Sequence, residues 1–154
     1  MRRLWIICGL ALAAGPASAA DVIFTGIVAD TCALAVPTPG VMTLSADGNT
    51  LGTDQPLGVP AEVTILSLGA NLISVAPPTL ESYPLAYVPG DETVEMAYNG
   101  LNGLSGIVQA FTSSAQSFAI GILPLTVLLI DNRIHDDDGF EQGTYTTKTV
   151  VTCS

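Results

Sequence analysis

The chain has 154 residues, with 14 Asp and Glu against 4 Lys and Arg, a formal net charge of −10 and a 49% hydrophobic content. An acidic surface of this kind repels nucleic acid and anionic lipid, so neither is an expected partner. With only 12% charged residues the chain is no disordered acidic tail, and it is long enough for one domain with a sizeable core.

Residues 1–19 read MRRLWIICGLALAAGPASA. Two arginines, a short apolar run, a Gly-Pro break and a small-x-small site predict a secretory signal peptide cleaved after Ala19. The apolar run is about eleven residues, against the roughly twenty that span a bilayer. The expected location is therefore the periplasm, the cell surface or the extracellular space, with no transmembrane segment in the mature chain. Cleavage leaves one domain over residues 20–154. Its only Lys or Arg are Arg133 and Lys148 against all 14 acids, a net charge of two minus fourteen, or −12. Cleavage also removes Cys8 and leaves Cys32 and Cys153. Export favours joining them, since one intramolecular pairing is open; free or intermolecular thiols are the other reading. Closing a loop of about 120 residues would stabilise the fold by roughly 4–5 kcal/mol in the chain-entropy model.

From residue 20 onward, short β-branched stretches recur between turn residues. DVIFTGIVA alternates at Val22, Phe24, Gly26 and Val28. VMTL stops at SADGNT, an Asp-Gly turn. EVTILSLG and NLISVAPP, joined at Gly69-Ala70-Asn71, are expected to form a hairpin. ETVEMAYNG alternates at Val94, Met96 and Tyr98. The stretch over 104–120 could pass for a helix, but Ser and Thr at its centre predict two short strands or an irregular loop. LTVLLIDNRI is expected to be a buried strand, with Asp131-Asn132-Arg133 as the turn that ends it and Arg133 held by acids. GTYTTKTVVTCS places Tyr145, Thr147, Thr149, Val151 and Cys153 on one face. Seven or eight strands at this spacing predict an all-β, Ig-like two-sheet sandwich.

Catalytic signals are sparse, no catalytic residue is assigned and no cofactor is expected. His135, the one histidine, lies beside Asp136, Asp137 and Asp138. The expectation there is a solvated polar turn. As a calcium loop the stretch lacks an acid at Ile134, leaving Asp136 and Asp138 as weak metal candidates. Tyr83, Tyr87 and Tyr98 are candidates for a sugar-binding face, although strand tyrosines more often pack in the core.

The two ends of the chain resemble subunits of chaperone–usher pili. VIFTGIVADTCAL resembles their opening strand, which carries a glycine and leads into a cysteine, and FEQGTYTTKTVVT resembles their last strand, which opens on Gly-x-Tyr. The likeness is to the archaic type, which includes the spore coat protein U domain, and it covers about 26 residues. It implies a sandwich whose apolar groove is completed by a strand donated from a neighbour. Residues 20–29 would be that donor, with Val22, Phe24 and Val28 inserted and Gly26 allowing close approach. A periplasmic chaperone, an usher and further copies or related subunits would be the partners, and a fimbrial role in adhesion the function. The alternative is a self-contained secreted sandwich that binds a small molecule or glycan. The cysteines depart from the family, where the first pairs about forty residues on. A strand inserted between first and last strands holds them roughly 9–10 Å apart, whereas a disulfide needs Cα atoms about 5.5–6 Å apart. Either the bridge lies beyond one end of the groove, or residues 22–28 close the chain's own sheet.

Overall fold

The computed structural model describes residues 31–102, 105–121 and 125–154, and these contain strands but no helix. In chain order the strands are β1 (Thr31–Thr38), β2 (Thr43–Leu44), β3 (Thr50–Gly52), β4 (Ala61–Leu68), β5 (Asn71–Val75) and β6 (Thr79–Ser82). They continue with β7 (Thr93–Asn102), β8 (Ser105–Thr112), β9 (Gln116–Ile120), β10 (Leu125–His135), β11 (Thr146–Lys148) and β12 (Val151–Cys153). Twelve segments exceed the seven or eight expected because long strands are interrupted. Thus β5 and β6 pair with β12 and β11, and the Ala76 amide donates to the Val150 carbonyl (2.8 Å) between the two ladders.

All pairing is antiparallel. In one sheet β4 lies between β1 and β10, β3 continues along the same edge of β10, and β7 then β8 extend the other edge. The opposite sheet has β5 between β12 and β9. The order β1–β4–β10–β7 facing β5–β6 with β11–β12 is that of an Ig-like sandwich: first, second, fifth and fourth strands against third and sixth.

The alternation seen in the sequence builds the core. Val63 and Ile65, Met96 and Tyr98, and Leu128 and Ile130 point inward from one sheet to meet Ile73, Val75 and Ile120 from the other. Of the two forms expected for the 104–120 stretch, its described residues take the first, two strands. β8 pairs with β7, and after a turn β9 pairs with β5 in the opposite sheet. The Asp-Gly turn also forms: Gly48 has φ +83° and its amide donates to the Ser45 carbonyl (3.1 Å).

Two expectations are corrected. The segments joined at Gly69-Ala70-Asn71 are not a hairpin, because β4 and β5 lie in different sheets. Both edges of β4 are taken, so the chain turns a corner and the strands meet face to face. Gly69 adopts φ +131°, the Asn71 amide donates to the buried Ser67 hydroxyl (2.6 Å), and that hydroxyl donates to the Gly69 carbonyl (3.0 Å). Nor is Asp131-Asn132-Arg133 a turn, since β10 runs on to His135. Its polar residues find partners on both sides of the sheet. Thr53 donates to Asp131 (2.7 Å), and Arg133 is held by Glu95 (2.8 Å) and lies 3.9 Å over the Phe111 ring.

Candidate functional site: a groove between the first and last strands

Among the described residues, β1 has its ladder to β4 and β12 has its ladder to β5, so each has one edge outside these ladders. The strands belong to opposite sheets, and a groove of about 1050 Å³ runs between them. One wall carries Leu34, Val36, Val41 and Met42, and the other runs from Phe140 to Val151. The wall residues of β1 are apolar yet open: Leu34 is 39% and Val36 61% exposed. On the final strand Tyr145, Thr147, Thr149, Val151 and Cys153 share the inward face, as the sequence predicts, and each is half-buried.

The groove is banded along its length. Nearest the core it is apolar, between Leu34, Val63, Ile130 and Val151. The middle is polar. There Thr149 donates to the Asn132 side-chain oxygen (2.9 Å), and the Asn132 amide donates to the Thr147 hydroxyl (3.0 Å). Thr147 in turn contacts the Met42 sulfur at 3.7 Å. These groups satisfy one another, so the band asks no hydrogen bond of an occupant. Beyond it Met42, Leu44 and Leu51 make the groove apolar again.

A covalent bond closes the near end. Cys32 and Cys153 form the disulfide expected from export, with Cα atoms 6.2 Å apart and a sequence separation of 121. Groove and bridge therefore coexist, because the bridge lies one alternation beyond Leu34 and Val151. At the other end Phe140 and Tyr145 border the groove and belong to an aromatic cluster. Tyr87 lies edge-on to Tyr145 (5.2 Å) and stacks on Phe140 (6.1 Å), and Tyr83 meets Tyr87 at 5.7 Å. Gly143 of the Gly-x-Tyr turn has Pro84 where a Cβ would stand, which explains the glycine.

The remaining candidates are dispersed. Val22, Phe24, Gly26 and Val28 lie outside the described residues. Tyr83, Tyr87 and Tyr98 share no face: Tyr98 is in the core against Phe118, and Tyr87 is buried in the aromatic cluster. Burial and the hydrogen bond to Asp136 push the Tyr87 phenol well above its ordinary pKa. The solvated turn expected over Asp136 to Asp138 is corrected at its first residue. Asp136 is 7% exposed, and it accepts the Tyr87 hydroxyl (2.5 Å) on one oxygen and the Asp138 amide (2.9 Å) on the other. That leaves the weak metal pair Asp136 and Asp138 without a common open face. Among the described residues no three His, Cys, Asp or Glu side chains are grouped to hold a metal ion. His135 sits between Thr50 (3.1 Å) and Asp137 (3.2 Å), away from the groove.

Sequence reasoning missed Leu34, Val36 and Asn132. The alternation Cys32, Leu34, Val36 was the available signal for the first wall, while Asn132 lay hidden in an expected turn. No protein-family model, no curated protein and no solved structure matches the chain.

Proposed function

We propose that this protein is an exported structural subunit of a bacterial surface fibre, a pilus-like subunit that accepts a β-strand from a neighbour and donates residues 20–29 to the next. One observation carries the reading. An Ig-like sandwich sets a seventh strand beside its sixth, and at that edge of β11–β12 lies a groove, apolar on either side of its polar middle, that runs along the final strand from Val151 to Phe140. Alternating Val22, Phe24, Gly26 and Val28 suit such a groove, and each filled apolar pocket contributes roughly 1.5–3 kcal/mol. Backbone pairing to the open strand edges adds to this in the manner of β-strand addition. A periplasmic chaperone would occupy the groove before assembly, and an usher would direct it.

A mixing experiment tests this. Phe24→Asp spoils the donor and leaves the groove intact. Val36→Asp spoils the groove at an already exposed position and leaves the donor intact. A charge forced into an apolar groove without a partner costs several kcal/mol. The wild-type mature chain is expected to form a ladder of oligomers by light scattering after size exclusion. Each variant alone should be monomeric, and an equimolar mixture should give a heterodimer and nothing longer. A wild-type chain that stays monomeric, unfolds cooperatively and is stable without a partner would defeat the proposal and leave the self-contained sandwich.

A further inference from the structure

The bridge stands where an inserted strand would have to pass. A strand lying between β1 and β12 needs its neighbours about 9–10 Å apart, and the Cys32 and Cys153 Cα atoms are 6.2 Å apart. An occupant must therefore end, or leave the sheet, before it reaches the disulfide. This argument rests on the strand-acceptor reading above.

The chain beyond each end of the donor decides which end meets the bridge. Inward positions on a strand recur every two residues, as Val151, Thr149, Thr147 and Tyr145 do on the last strand. With its N terminus toward the bridge, the donor sets Val22 level with Val151, Phe24 with Thr149, Gly26 with Thr147 and Val28 with Tyr145. The reverse direction sets Val28 level with Val151, which brings Asp30 to the bridge and leaves the donor's own β1, from Thr31, no room before it. It also brings the donor's body to the end of the acceptor where the acceptor's own chain enters β1. In the favoured direction only Ala20 and Asp21 precede Val22 in the mature chain, so Ala20 comes level with the bridge.

We propose that the Cys32–Cys153 disulfide is an end-stop that limits how far the incoming strand can extend upstream of Val22. The groove accepts a strand beginning at Ala20 and discriminates against one that continues upstream, such as a chain whose signal peptide has not been removed.

The test is a length series of peptides titrated onto the oxidised mature chain carrying Phe24→Asp, which disables its own donor. Peptides of residues 22–30, 20–30, 18–30 and 15–30 are used, with an acetylated 20–30 peptide to separate length from terminal charge. Affinity should rise or hold from 22–30 to 20–30, be unaffected by acetylation, and fall about tenfold by 15–30, a loss of roughly 1.4 kcal/mol. In a folded Cys32→Ser/Cys153→Ser variant the fall should vanish. If that variant does not fold, the series on the oxidised protein still decides. Peptides that bind equally whatever their upstream length overturn the end-stop and leave the strand-acceptor reading standing. A series in which no peptide binds overturns both.

Discussion

At Asp136 a carboxylate is packed under Tyr87 and caps its own turn, while the side chain of Asp137 next to it is 96% exposed. Asp136→Asn keeps an oxygen for the Asp138 amide but gives up the charged acceptor for the Tyr87 hydroxyl. It is expected to cost about 1.5–3 kcal/mol in urea unfolding. Asp137→Asn and Asp138→Asn should stay within about 0.5 kcal/mol. Equal effects at all three positions would show that burial at Asp136 is immaterial. The phenols carry a related consequence. Burial raises Tyr87, Tyr98 and Tyr145 above the ordinary tyrosine pKa, and at Tyr87 the bond to Asp136 adds to it. Above about pH 10, the ordinary value, the unfolded chain loses phenolic protons that the folded chain retains. Stability should thus be unaffected by these groups below that pH and fall as pH rises beyond it. Near-ultraviolet phenolate absorbance in the folded protein should lag behind that of the denatured chain. A single titration of every tyrosine at the ordinary value would contradict this.

Between β4 and β5 the corner is braced by Ser67 and Asn71, both buried. Asn71→Ala leaves the Ser67 hydroxyl with its bond to Gly69 but removes the tie across the corner. A loss of about 1–2 kcal/mol is expected in urea unfolding, and a change under 0.5 kcal/mol would mean the corner holds without it. Strands were legible wherever apolar and polar residues alternate, as at Val94, Met96 and Tyr98 or along the final strand. What a short glycine-containing link does between two strands was not legible, since a hairpin and a corner between sheets use the same residues. The difference lies in whether β4 has a free edge, which depends on β1 and β10 far away in sequence. Asn132 and Arg133 were misread for a similar reason. Polar residues end a strand in isolation, but here Glu95, Thr147 and Thr149 arrive from other strands to satisfy them. The groove itself was hidden because its first wall is built from apolar side chains that remain open, against the usual rule for a core.

For the molecule as a whole, the first strand of the described sandwich and the last are joined at the same end. Consider a pull applied to the chain upstream of Thr31 and resisted by whatever grips the final strand. The load enters at Cys32, crosses the sulfur–sulfur bond and leaves through Cys153. Apart from the gripped strand itself, the residues between the two cysteines, including every core side chain of β4, β5, β7, β9 and β10, lie outside that path. Tension along a row of such domains would run through one covalent bond per domain, and the sandwiches would hang beside the line of force like beads sewn to a cord.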